Sequence, residues 1–79
     1  SPARVEHAAE AAETARFISD FLRRQPEPAR GIFIRRYWYC DSTADIAARY
    51  GIPEGRVRVI LHRTRNKLKK ELSEQGVNI

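Results

Sequence analysis

The sequence has little of what would point to several other kinds of protein. Its one cysteine, Cys40, cannot form an internal disulfide and cannot build a cysteine-rich metal site. It has no run of about 18 apolar residues and no apolar signal-peptide core near its start, so no membrane-spanning helix or secretion signal is expected. These absences predict a cytoplasmic protein that is not inserted in a membrane and has no metal and no cofactor.

Methionine is absent altogether, including an initiator. We therefore expect that translation does not begin at Ser1 and that the chain is a piece of something longer. Its 79 residues leave room for one small domain. Such a domain buries only about 60% of the surface that its unfolded chain exposes, so a pocket enclosing a large substrate is not expected.

What the chain does have is positive charge, concentrated towards its C-terminus. The formal net charge is +5. Seven basic and two acidic residues lie between positions 54 and 72, so this segment carries the whole excess. A concentrated positive field suits a polyanion, with nucleic acid as the first candidate and an anionic membrane surface as the second.

The N-terminal part of the chain has a helical composition. Residues 1–16 are rich in alanine and glutamate, which are strong helix formers, and predict a helical or frayed segment that links to a missing upstream part. Glu6 favours the start of this helix through the helix dipole, and His7 is expected on an exposed face. The helix continues into a domain predicted over residues 17–76, and residues 77–79 form a tail.

A second helix is predicted between "QPEP", which stops the first, and "DSTAD". Pro28 can occupy its first position. Four residues at helical spacing are expected to face the core: Ile32, Phe33, Tyr37 and Cys40. Trp38 or Tyr39 is expected to be partly exposed.

The next two helices have the spacing of a helix-turn-helix. Ser42, with Asp45 three residues later, resembles a capping box and predicts a short helix over "TADIAARY". Gly51 ends this helix and Pro53 restarts the chain as the longest one. Two helices separated by about three residues that include a glycine form a helix-turn-helix. No strand pattern competes.

The fourth helix divides into two faces when each residue advances the chain by about 100°. A stripe within roughly 60° of Val57 is expected to be buried: Ile60, Leu61, Thr64, Leu68 and Leu72. The opposite side, called the outer arc below, holds Arg58, Val59, His62, Arg63, Asn66, Lys69 and Lys70. Arginine can pair with guanine, asparagine can read adenine and valine can touch a thymine methyl, so the outer arc predicts a helix that lies in the major groove of DNA.

Three stretches carry a resemblance to a known family: "FLRRQPEPARGIFIRRYWY", "STADIAARYGIPEGRV" and "LHRTRNKL". In this order they resemble region 4, the C-terminal promoter-binding domain, of sigma-70 family RNA polymerase sigma factors, especially the extracytoplasmic-function type. The resemblance covers residues 22–72. It implies an all-α, winged-helix-like domain of four helices that contains a helix-turn-helix and no sheet.

The same resemblance implies a function in transcription initiation. The fourth helix would recognise the minus-35 element of double-stranded promoter DNA, and the domain would be tethered to the β flap of core RNA polymerase by apolar and basic residues of the second and third helices. An anti-sigma factor is a further expected partner. Val59 stands where the family often has serine, which leaves the promoter sequence open.

The resemblance also assigns roles to residues. Base reading is expected from four residues of the fourth helix: Arg58, Val59, His62 and Arg63. Phosphate contacts are expected from a second set: Thr43, Arg56, Arg65, Asn66, Lys69 and Lys70. Lysines are expected to fix register on the duplex without reading its sequence.

Other functions stay open at this point. A DNA-binding effector domain of the LuxR type uses a similar "EIA" helix and turn, and a helical module could bind polymerase or an anti-sigma factor without touching DNA. A basic face can also be merely solvated, and the aromatic run "YWYC" could stack on bases. An enzyme is not expected, because no nucleophile, base and metal ligands occur together and neither histidine has a second ligand at metal-binding spacing.

Overall fold

The computed structural model describes the backbone of residues 2–76 and the side chains of residues 9–76. It contains four α-helices: α1 (Pro2–Arg24), α2 (Ala29–Tyr37), α3 (Thr43–Tyr50) and α4 (Glu54–Glu74). Residues 2–76 contain no strand, which confirms the predicted all-α fold with a helix-turn-helix. The side chains of Glu6 and His7 and the predicted tail at 77–79 lie outside the described residues.

Of the α1 side chains that the structure describes, residues 9–24, those in the C-terminal part of the helix pack against the core. Phe21 and Leu22 are buried, and Phe17 and Ile18 pack partly against them. Residues 9–16 are exposed apart from a half-buried Thr14. Alanine side chains in this stretch offer little apolar area to bury, so residues 9–16 lie outside the core.

The core is formed by large apolar side chains from all four helices. Five of them are almost completely inaccessible to solvent: Phe21, Ile32, Ile46, Val57 and Leu72. α4 contributes its predicted stripe, in which Val57, Leu61, Thr64, Leu68 and Leu72 are buried and Ile60 is half-buried. The Thr64 hydroxyl donates to the Ile60 carbonyl at 2.8 Å, which satisfies its polar group within the stripe.

α2 is shorter than the sequence predicts. Pro28 precedes the helix instead of opening it, and the helix ends at Tyr37. Cys40 has φ 57° and is exposed, so its predicted place in the core is wrong. A left-handed residue cannot continue a right-handed helix, and the Asp41 amide instead donates to the Arg35 carbonyl at 3.0 Å, which turns the chain towards α3.

The prediction that Tyr37 lies in the core is also wrong, because 44% of this residue is exposed. Its ring packs against Phe33, with the ring centroids 4.6 Å apart. Its hydroxyl hydrogen-bonds outside the core, as described below. Trp38 and Tyr39 are exposed, as predicted.

The ends of α3 are those predicted from its capping residues. The Ser42 hydroxyl oxygen accepts a hydrogen bond from the Asp45 amide at 3.0 Å, which closes the first turn. Gly51 adopts φ 65°, the left-handed conformation that ends a helix. Ile46 and Ala47 are buried and Tyr50 is half-buried, so the short helix faces inward on the predicted side.

Candidate nucleic-acid interface

The outer arc of α4 is exposed over its whole length. All seven of its residues are exposed: Arg58, Val59, His62, Arg63, Asn66, Lys69 and Lys70. The rotation of the helix is fixed by the buried stripe on its other side. The 21 residues of α4 span about 30 Å, and an α-helix fits the major groove of B-DNA, which is about 12 Å wide.

Arg58 is held by a carboxylate that also contacts α3. Glu54 Oε1 accepts one hydrogen bond from Arg58 Nη2 and another from the Thr43 hydroxyl, both at 2.7 Å. Thr43 and Glu54 are the first residues of α3 and α4, so this contact links the N-termini of the two helices of the helix-turn-helix. The single hydroxyl proton of Thr43 is committed here, and a phosphate contact by Thr43 would have to exchange this hydrogen bond.

His62 and Asn66 form a pair in the middle of the outer arc. His62 Nε2 and Asn66 Nδ2 lie 3.1 Å apart, one helical turn from each other. The amide nitrogen can only donate, so Nε2 is the acceptor in this contact. Within the described residues, the Asn66 carbonyl oxygen and His62 Nδ1 make no other side-chain hydrogen bond.

The two flanks of the outer arc are tied to other helices. On one flank, Arg65 Nη1 donates to the Tyr37 hydroxyl of α2 at 2.9 Å. On the other, Lys67 Nζ lies 3.4 Å from Oε1 of the buried Gln25, whose Nε2 donates to the Phe21 carbonyl. These contacts restrain two cations at the edges of the face.

Four further cations carry no such restraint. Among the described residues, no carboxylate lies within salt-bridge distance of Arg56, Arg63, Lys69 or Lys70. Each is exposed. Exposed, unpaired cations on one helix face can meet phosphates without first giving up an ion pair.

Residues 22–70 match the family model described as Sigma-70, region 4. The chain belongs to this family. The match covers more than half of the chain and includes the complete helix-turn-helix and the outer arc of α4. No individual curated protein matches the chain.

Membership of the sigma-70 region 4 family gives the domain its broad role. Region 4 is a DNA-binding part of a transcription factor that works with promoter DNA and RNA polymerase, and it is not an enzyme family. The family match therefore excludes the alternative that the chain is a LuxR-type DNA-binding domain. Within residues 9–76, no group of three or more histidine, cysteine, aspartate or glutamate residues could hold a metal ion. No helix in the described part of the chain is long and apolar enough to cross a membrane.

Sequence reasoning located the exposed residues of the region 4 domain but missed the residues that hold them. Glu54 could have been found, because a carboxylate four residues before an arginine on one helix favours an ion pair. Tyr37 and Gln25 had no such signal. They lie 28 and 42 positions from Arg65 and Lys67, and only the packing of the helices brings them together.

Proposed function

We propose that this domain binds the minus-35 element of bacterial promoters with the outer arc of α4 in the major groove, and so directs RNA polymerase to sites of transcription initiation. One observation carries the proposal. The helix that follows the turn of a helix-turn-helix buries an apolar stripe and exposes an arc of arginine, histidine, asparagine and lysine side chains. These are the groups that read base edges and contact phosphates.

The base-reading residues in this proposal are Arg58, Val59, His62 and Arg63, all exposed on the first half of α4. The N-terminal part of a recognition helix contacts base edges in helix-turn-helix proteins, which supports this order. Phosphate contacts are assigned to Arg56, Arg65, Asn66, Lys69 and Lys70, which are all exposed. Thr43, which the resemblance also implies, is left out of this set because its hydroxyl proton is donated to Glu54. Lys69 and Lys70, in the second half of the helix, would lie along the sugar–phosphate backbone.

Contact with polymerase is proposed at a second surface. A groove of about 320 Å³ is lined by the apolar side chains of Leu22, Ile34 and Trp38 and by the cationic Arg23 and Arg30. These residues belong to α1, α2 and the residue after α2, so the groove is separate from the outer arc. The family resemblance implies α2 and α3 for contact with the β flap, whereas this apolar groove lies between α1 and α2, and we propose that the flap binds there. An anti-sigma factor would inhibit the domain by covering either surface.

The proposal is tested by selecting duplexes from a random-sequence library with the 79-residue domain. The enriched and a scrambled duplex are then titrated by fluorescence anisotropy at several salt concentrations. We expect one short motif to be enriched, and log K to fall with log salt by about 0.9 for each phosphate contacted. If no duplex is enriched and binding does not depend on salt, the domain is a protein-interaction module that does not touch DNA.

A further inference from the structure

We propose that Glu54 is a positioning residue that sets the specificity of DNA reading: its carboxylate holds Arg58 for base contact and keeps Arg58 from binding phosphates on other sequences. The inference rests on the proposed DNA-binding function and deepens it. It concerns how one side chain of the same site distinguishes promoter from other DNA.

The first argument is the geometry around the carboxylate. Ion pairs between exposed residues one turn apart on a helix are weak and do not hold either side chain in one conformation. Glu54 is different, because the same oxygen that accepts from Arg58 also accepts from Thr43 on another helix. This second hydrogen bond restrains the Glu54 side chain, and through it the guanidinium of Arg58.

The second argument is the set of donors that remains free. A guanidinium has five N–H groups in a planar arrangement, and the contact with Glu54 engages Nη2. The Arg58 side chain is still 63% exposed, so its other donors are accessible for a bidentate contact with guanine. A guanidinium that is oriented before binding loses less side-chain entropy on the duplex.

The third argument is charge. Glu54 is the acidic residue in the first turn of α4, beside a face expected to meet a polyanion. On DNA without the right base, an unrestrained arginine would turn to the nearest phosphate and increase affinity for any sequence. Glu54 competes with these phosphates for Arg58, so non-promoter DNA, which offers Arg58 no matching base, is disfavoured.

The test compares Glu54→Gln with the unchanged domain on the selected duplex and on a scrambled duplex. We expect Glu54→Gln to bind scrambled DNA more tightly, and the ratio of the two affinities to fall by about three- to tenfold, the effect of releasing one restrained side chain. The salt dependence on scrambled DNA should steepen by about one phosphate contact. Thr43→Val removes the hydrogen bond that restrains Glu54, so it should lower the affinity ratio by a smaller factor. If Glu54→Gln does not fold, the Thr43→Val variant is used for the test instead.

Two matched variants isolate the role of Arg58. In an Arg58→Ala background, Glu54→Gln should leave the affinity ratio unchanged, because the side chain that it positions is gone. Glu71→Gln removes a carboxylate from the same helix that is paired with Arg24 at 2.9 Å, and it should not alter the ratio. In the free domain, nitrogen NMR should show slower rotation of the Arg58 guanidinium than in Glu54→Gln.

The outcomes separate this inference from the function on which it rests. If the unchanged domain selects a motif but Glu54→Gln keeps the same affinity ratio, Glu54 does not position Arg58 and the proposed function stands. An equal fall of the ratio in the Arg58→Ala background would overturn the inference as well, since Glu54 would then act by another route. If the unchanged domain selects no motif, the proposed function fails and takes the inference with it.

Discussion

Arg65 of α4 donates a 2.9 Å hydrogen bond from Nη1 to the hydroxyl of Tyr37 at the end of α2, 28 positions away. The Tyr37 ring packs against the buried Phe33, so the hydroxyl is fixed by the core. A cation on the flank of the outer arc is thereby held by the helix that precedes the helix-turn-helix. Since Arg65 is a proposed phosphate contact, this link orients it before DNA arrives.

Tyr37→Phe removes this hydrogen bond and keeps the ring in place. We expect affinity to fall by about 1 kcal/mol on every duplex, because Arg65 must then be ordered on binding. Anisotropy titrations with the selected and scrambled duplexes measure both values. Tyr39→Phe is the control, since Tyr39 is exposed and its ring contacts Arg35, with its centroid 5.2 Å from the guanidinium carbon, and not Arg65. A change in sequence preference with Tyr37→Phe would argue against a phosphate role for Arg65.

Arg63→Ala and Lys70→Ala separate base readers from phosphate contacts. Arg63→Ala should cost about 1 to 3 kcal/mol on the selected duplex and relax discrimination at one base position. Lys70→Ala should weaken all sequences alike and reduce the salt slope by about one. Titration against single-base variants of the selected duplex measures both effects. Identical behaviour of the two variants would show that the base readers are wrongly assigned.

Ile46→Ala tests whether α3 is held by the shared core. Ile46 is completely buried, and its truncation should lower the free energy of unfolding by about 2 to 5 kcal/mol. Urea unfolding followed by circular dichroism gives the value. Val59→Ala is the counterpart on the outer arc: Val59 is 44% exposed, so stability should change by less than about 0.5 kcal/mol while discrimination at one thymine is lost. Similar stability losses in both variants would contradict the assigned burial.

Gly31→Ala tests a close approach between α2 and α3. A Cβ at Gly31 would collide with the Tyr50 hydroxyl and lie 3.0 Å from a Glu27 carboxylate oxygen. Alanine normally favours a helix by about 1 kcal/mol, but here we expect a net loss of about 1 to 2 kcal/mol in unfolding free energy. Adding Tyr50→Phe removes the colliding oxygen and should restore most of the loss. A Gly31→Ala domain more stable than the parent would show that Tyr50 moves aside freely.

Trp38→Ala tests the proposed polymerase groove. Trp38 is 58% exposed and lines the groove with Leu22 and Ile34, so its removal should weaken binding to a purified β flap fragment by about 2 kcal/mol or more. Binding of DNA should not change. Tyr39→Ala is the matched control, because Tyr39 is similarly exposed and does not line the groove. Equal losses from both variants would place the flap contact elsewhere.

Several features of this protein follow from the sequence because their signals are local. The ends of α3 depend on Ser42 and Gly51, which act within one helical turn of themselves. The exposed arc of α4 follows from the period of its own apolar residues, since burying Val57 and Leu61 leaves Arg58 and His62 outside. The resemblance to sigma-70 region 4 also follows from the order of motifs, and the family match over residues 22–70 confirms it, while the extracytoplasmic-function type stays a prediction.

Other features depend on the tertiary structure. The sequence pattern predicts that α2 continues to Cys40. In the structure Cys40 has a left-handed backbone and the Asp41 amide donates a hydrogen bond to the Arg35 carbonyl, so the helix ends sooner. The hydroxyl that holds Arg65 comes from Tyr37 in α2, and the side-chain amide oxygen near Lys67 comes from Gln25, directly after α1; both are distant in the chain from α4. Helical period determines which face of a helix is exposed, because it is a property of consecutive residues. Which side chain then restrains a given arginine depends on how two helices pack, and no local pattern encodes that.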